Sequence, residues 1–245
     1  MLITSLENNL IKDIMKLHQR KYRKKLGKYI VEGEHLVLEA IKSGNLETLI
    51  LEQDTLFPVE MEAVYVTNDI LNKISTLEVP SKVMGICKIN EEETYGKKIL
   101  LLDEIQDPGN LGTIIRSAKA FDIDTIVLGT GCVDLYNSKT LRGAQGMHFH
   151  LSIFSKDLGV VIPKLKDRGT VIYATNVKYG SDVRTLKKKD KEEFALILGN
   201  EGAGVNDEYM SLADQYIYIP MNKDVESLNV AVAGSILMYE LKGDE

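Results

Sequence analysis

The chain has no apolar run approaching the roughly 18 residues that a membrane-spanning helix requires, and its first residues lack the apolar block of a secretory signal. A cytoplasmic protein without membrane association is expected. Its two cysteines, Cys87 and Cys132, stand alone, with no second Cys or His at ligand spacing. Neither a disulfide framework nor a zinc site is indicated, no metal is expected, and both thiols read as buried small hydrophobes. No G-x-x-x-x-G-K-[ST] occurs, and GTGCVD at 129–134 lacks the third glycine of a dinucleotide fingerprint. No Ser, Cys or His stands in a nucleophile-elbow or metalloprotease context, so His18, His35, His148 and His150 read as surface or packing residues.

What is present is enough chain for one large domain or two modest ones, each able to bury a core, in 245 residues. The net charge of −6 is unevenly spread. Residues 1–28 carry Lys12, Lys16, Arg20, Lys21, Arg23, Lys24, Lys25 and Lys28 against Glu7 and Asp13, a local +6 that leaves −12 on the rest. A basic arm on an acidic body suits the phosphate backbone of a nucleic acid, and Arg20, Lys21, Arg23, Lys24 and Lys25 are the expected contacts. A solvated basic helix would look the same.

Strand-like apolar runs alternate with helical stretches, which favours an α/β architecture. In the first part, strands are expected near 29–32, 48–51, 64–66 and 84–89, with helices at 34–42 and 69–75. The polar segment 90–98, NEEETYGKK, is the best linker. This gives an N-terminal domain over 1–90, a linker at 91–97 and a second domain over 98–245. In that second domain strands are expected at 99–103, 125–128, 149–154, 171–175, 195–198 and 215–219, and helices at 111–121, 138–144, 158–166, 207–212 and 227–241. Strands rich in Val, Ile and Leu on both faces imply a mostly parallel, doubly covered sheet, which binds ligands at the carboxyl ends of its strands.

Three segments concentrate the candidate chemistry. In LLDEIQDPGNLGTIIRSAKAF (101–121), Asn110 follows a Pro-Gly turn and can cap a helix whose stripe Leu111, Ile114, Ile115, Ala118 has helical spacing. At about 100° per residue, Arg116 falls roughly 140° from Leu111 and off that stripe. In LILGNEGAGV (196–205) an apolar strand runs into a Gly-rich turn bearing Glu201, which exposes main-chain groups that a flat polar molecule can use. In IPMNKDVESLNVAVAGSILMYEL (219–241), Ser227 and Asn229 stand where a helix begins. Taken singly, each residue could be no more than a cap, a turn carboxylate or a surface arginine.

In order and spacing, these segments resemble the three signature motifs of the SpoU/TrmH family of SPOUT RNA methyltransferases. The resemblance covers nearly the whole chain. It extends to GKYIVEGEHLVLEAIKSG (27–44), which is similar to the small ribosomal-protein-like RNA-binding domain of many rRNA-modifying members. It implies a trefoil-knotted C-terminal domain, a homodimer, S-adenosylmethionine as cofactor, and methyl transfer to a ribose 2′-hydroxyl of RNA, with large-subunit rRNA preferred over tRNA. Asn110, Arg116, Glu201, Ser227 and Asn229 are carried over as catalytic. Thr175, Asn176, Leu198, Gly199, Gly202, Ile219, Pro220, Met221 and Leu228 are carried over as the cofactor pocket, with Glu201 expected to pair with Arg116.

The sulfonium methyl is already electrophilic, so such a site must align the ribose oxygen and manage its proton. A guanidinium titrates above roughly 12, which makes stabilising an alkoxide or holding a phosphate an easier task for Arg116 than general-base catalysis. A catalytically silent RNA-binding module and a base methyltransferase related to the knotted tRNA guanine enzymes are the competing readings. Cofactor binding tests the first and the product nucleoside the second.

Overall fold

The computed structural model describes residues 2–90, 92–176 and 179–242. The expected domain spans and linker also include residues 1, 91, 177–178 and 243–245, which lie outside the described residues. The chain forms two compact units, one of 1–90 with 136–149 and the other of 91–135 with 150–245.

The first unit runs β1 (Leu2–Ile3), α1 (Asn9–Leu17), α2 (Arg20–Leu26), β2 (Lys28–Glu32), α3 (Glu34–Lys42), β3 (Leu46–Glu52), β4 (Ala63–Val66), α4 (Asn68–Ile74) and β5 (Val83–Lys88). Its sheet has the order β1-β4-β3-β5-β2, with β5 antiparallel to both neighbours and the other pairs parallel. Alternation along β3 sends Leu49 and Leu51 into one core with Tyr29, Val31 and Val37, and Ile50 into the other with Ile11, Ile14 and Leu17.

The basic arm is therefore two packed helices. Asn8 caps α1, its side chain accepting the Leu10 N–H at 2.9 Å. In α2, Arg23 is only 8% exposed, and its guanidinium donates to the carbonyls of Leu17 and His18 at 2.9 and 2.8 Å. This corrects the expectation for Arg23: it ties the α1–α2 turn from inside and does not face solvent. Arg20, Lys21, Lys24 and Lys25 are exposed.

A second difference concerns residues 136–149, expected in the second domain. They pack with the first unit, because Tyr136 lies 4.3 Å from Tyr29, ring to ring, and the Tyr29 hydroxyl bonds His148 Nε2 at 3.1 Å. Leu141 of the helix Ser138–Ala144 joins the same core.

The second unit contains β6 (Lys98–Leu102), α5 (Pro108–Ala120), β7 (Thr125–Leu128), β8 (Ser152–Ser155), α7 (Leu158–Asp167), β9 (Val171–Thr175), β10 (Ser181–Asp182), β11 (Phe194–Leu198), α8 (Asp207–Leu212), β12 (Gln215–Tyr218) and α9 (Val230–Lys242), where α6 is the helix Ser138–Ala144 already placed. Its seven strands have the order β10-β12-β9-β11-β6-β7-β8, and every pair is parallel. The expected α/β class and mostly parallel sheet are present. Central strand β11 is buried along its whole length, as a sheet covered on both faces requires.

Three boundaries move. α5 starts at Pro108, because Asp107 caps it and Pro108 occupies the first turn, where a missing N–H costs nothing. Residues 147–150 form a 3-10 turn, so the strand expected from 149 begins at Ser152. The last helix starts at Val230, which leaves Ser227 in the preceding loop. Cys87 is buried as expected, whereas Cys132 is only half-buried. Among the described residues no helix is long and apolar enough to cross a membrane, and no group of acidic, His or Cys side chains is arranged to hold a metal ion.

Candidate active site

Because β12, β9, β11 and β6 are parallel neighbours, Thr175, Leu198 and the residues after Tyr218 all emerge at one carboxyl edge of the sheet. The Asp103 N–H donates to the Leu198 carbonyl at 2.9 Å, carrying the β6–β11 pairing one step beyond the strands.

The turn after β11 is organised by Asn200. Its side-chain oxygen accepts the N–H groups of Gly202 and Ala203 at 2.9 and 3.1 Å, while its amide donates to the Glu104 carbonyl at 3.0 Å. Main-chain bonds between Asn200 and Gly204, 2.9 and 3.0 Å, close the turn. Gly199 has no room for a side chain, since a Cβ there would lie 2.2 Å from Gly204 C. Glu201 is left exposed at the tip.

Asn110 lies in the first turn of α5, not at its cap as the sequence indicated. The Asp107 carboxylate accepts the Asn110 N–H at 2.8 Å, freeing the Asn110 side chain to reach outward. Its amide donates to Glu201 Oε1 at 2.9 Å, and its oxygen accepts from Asn229 Nδ2 at 3.0 Å. The Asn229 oxygen accepts the Ala231 N–H at 3.0 Å and so caps α9. One hydrogen-bonded chain, Asn229 to Asn110 to Glu201, thus joins all three motif segments.

Arg116 is exposed and, among the described residues, makes no side-chain hydrogen bond or ion pair. The expected Glu201–Arg116 pair is absent because Asn110 sits beside Glu201, whereas Arg116 lies six residues on, about 9 Å along the helix. Ser227 is exposed in the loop before Asn229.

Thr175 at the end of β9 donates to the Ile197 carbonyl at 3.3 Å, and the Asn176 N–H donates to the Ile217 carbonyl at 3.0 Å. Leu198 and Gly199 are buried, Ile219, Met221 and Leu228 half-buried, and Pro220 and Gly202 exposed. Half-covered apolar side chains next to main-chain groups outside regular structure fit a ligand with flat faces and polar edges, as adenosine has. Below this edge, burial pushes the Asp103 carboxyl up, against the Asn206 N–H that it accepts at 2.8 Å. Burial also pushes the Cys132 thiol up to about 11, which keeps it from acting as a thiolate near neutral pH.

Asn200 and Asp107, which organise the turn and the start of α5, are positions that the motifs do not single out. Both carry a local signal: an Asn in a Gly-rich turn, and an Asp directly before Pro-Gly.

Residues 97–239 match the SpoU rRNA Methylase family, and residues 8–85 match the MRM3-like substrate binding domain. Over 247 aligned residues, 98% of this chain and 99% of the relative, the sequence is 40% identical to the 23S rRNA (guanosine(2553)-2′-O)-methyltransferase RlmP of Bacillus subtilis strain 168. The crystal structure of an AdoMet-bound rRNA methyltransferase from Sinorhizobium meliloti is similar with a TM-score of 0.87 and 28% identity, over 98% of this chain and 97% of that one. A crystallised RNA 2′-O ribose methyltransferase gives a TM-score of 0.83 and 27% identity, over 98% of each chain.

Proposed function

Because the chain belongs to the SpoU rRNA methylase family, we propose that it methylates a ribose 2′-hydroxyl of large-subunit rRNA with S-adenosylmethionine as donor. The observation that carries this reading is the chain of hydrogen bonds joining Asn229, Asn110 and Glu201 at the carboxyl edge of the sheet, with exposed Arg116 on the same helix as Asn110. The Bacillus relative is named for guanosine 2553 of 23S rRNA, so the equivalent guanosine is the first position to test. Transfer RNA is the second substrate to try.

S-adenosylmethionine supplies an electrophilic methyl group; the protein's task is alignment and charge. Thr175, Asn176, Leu198, Gly199, Gly202, Ile219, Pro220, Met221 and Leu228 hold the cofactor. Arg116, whose charge has no partner among the described residues, faces the ribose and stabilises the charge building on the oxygen as its proton passes to solvent water. Asn110 is already bonded to both Glu201 and Asn229, which suits the three to holding their segments together. Ser227, exposed two residues before Asn229, meets the hydroxyl in this reading.

In this reading residues 1–90 engage RNA, with Arg20, Lys21, Lys24 and Lys25 as contacts, and 98–245 carry the chemistry. The last helix is threaded as a knot. In support, α9 packs on α5, and a Cβ on Gly234 would lie 2.8 Å from a Leu198 methyl, the close approach that threading demands. The active form is a homodimer: Val232 and Tyr239, 48% and 64% exposed, form with half-buried Ile236 an apolar stripe along α9. The enzyme works in the cytoplasm, on ribosomal RNA.

The test is incubation of the purified chain with S-adenosylmethionine and protein-free 23S rRNA, followed by mapping of 2′-O-methyl sites. Methylation of a base, or none despite cofactor binding, refutes the reading.

A further inference from the structure

Residues 184–191, RTLKKKDK, set five cations against one carboxylate in a chain whose net charge is −6. Several other cations of the second unit are paired, Lys156 with Glu93, Lys166 with Asp214 at 2.7 Å and Lys242 with Asp122 at 3.2 Å. At the start of the tract Arg184 pairs with Asp182 at 2.6 Å. Lys187, Lys188 and Lys189 are exposed, and none has a carboxylate partner among the described residues.

The backbone presenting these three ammonium groups is tied down. The Lys187 N–H donates to the Asp190 carboxylate at 3.2 Å, and the Tyr173 hydroxyl to the Asp190 carbonyl at 2.9 Å. The Lys191 ammonium donates to the Glu240 carbonyl of α9 at 2.7 Å. The tract leaves the carboxyl edge, where Asp182 of β10 is in register with Tyr218, and runs toward the far end of α9, where Lys191 meets Glu240.

We propose that Lys187, Lys188 and Lys189 are a phosphate-contact surface of the catalytic unit that grips the RNA backbone outside the methylated nucleotide, along the flank of α9. Three adjacent ammonium groups repel one another, and a line of phosphates relieves that repulsion while releasing counterions. Lysines are flexible point charges that read no base, so the surface positions RNA without selecting sequence. This inference rests on the methyltransferase reading above.

The test compares the wild-type chain with Lys187→Gln/Lys188→Gln/Lys189→Gln and with a charge-matched control, Lys97→Gln/Lys119→Gln/Lys164→Gln, on protein-free 23S rRNA. The tract variant should lower the log–log salt slope of RNA binding by roughly 0.7–0.9 for each true contact, about 2.1–2.7 in all if every lysine touches RNA. Its KM for RNA should rise with kcat at saturating RNA retained, and its affinity for S-adenosylmethionine should be unchanged by calorimetry. A wild-type chain that methylates no RNA overturns the functional reading. A methylating wild type with slope and KM unaltered in the tract variant overturns this surface alone, as does an equal loss in the control.

Discussion

The GNEGAG turn contains three glycines whose surroundings differ so much that alanine substitutions should separate them. At Gly199 a Cβ would lie 2.2 Å from Gly204 C and Val205 N and 2.4 Å from Gly204 O. These are main-chain atoms and cannot rotate away, so the turn must open, breaking the Asn200–Gly204 bonds of 2.9 and 3.0 Å. Two net hydrogen bonds at about 0.5–1.5 kcal/mol each, with about 1–3 kcal/mol of overpacking, give a loss of roughly 2–6 kcal/mol. At about 2–4 °C per kcal/mol, the expected fall in Tm is on the order of 10 °C. Gly204 has φ +76° and open space around it, so alanine there costs only the left-handed penalty of about 1–2 kcal/mol. Gly202 would place its Cβ 3.6 Å from Asn200 Oδ1, an ordinary contact, and alanine should stay within about 0.5 kcal/mol. Calorimetric melting and titration with S-adenosylmethionine read both consequences, and Gly199→Ala should weaken cofactor binding at least about tenfold, equivalent to 1.4 kcal/mol. If Gly199→Ala melts and binds like wild type, or Gly202→Ala is equally damaging, the steric argument is wrong.

Arg116→Ala should abolish methyl transfer and leave cofactor affinity nearly unchanged; an equal loss of affinity, read by calorimetry, would move Arg116 into the cofactor pocket. Arg23→Gln should destabilise the first unit by roughly 2–4 kcal/mol, because it removes charged donors from two carbonyls, whereas Lys24→Gln should stay within about 0.5 kcal/mol; urea midpoints compare them. Burial holds the His18 imidazole below its usual range, so its contribution to stability is complete above about pH 6.5 and is lost as pH falls through the lower folded value. Wild type should therefore lose more stability than His18→Gln between pH 7 and pH 5, and the opposite order in urea titrations would contradict the burial. Val232→Asp with Tyr239→Asp should convert a dimer to monomers in sedimentation runs, and a dimer of undiminished stability would rule out the α9 stripe as its interface.

Much of the fold was legible in the sequence because its signals are local. The α3 helix and strands β7 and β9 fall where apolar periodicity puts them, and the all-buried β11 reads as an uninterrupted apolar run. The first two helices were hidden by their charge: Ile11, Ile14 and Leu17 have helical spacing, but the surrounding lysines and arginines suggested a solvated arm. The expected start of α5 at 111 differs from Pro108 because Asp107 followed by Pro108 is a stronger start signal than Asn110.

The sequence alone determined the α/β class, the three motif segments and the residue types able to serve methyl transfer, since periodicity, turn chemistry and motif spacing are written within a few residues of one another. The tertiary structure decided which residues meet. It paired Glu201 with Asn110 instead of Arg116, turned Asn229 toward both Asn110 and its own helix, buried Arg23, and gave residues 136–149 to the first unit. Each of those outcomes depends on strand register and on groups brought together from distant parts of the chain, and no short window of sequence contains that geometry.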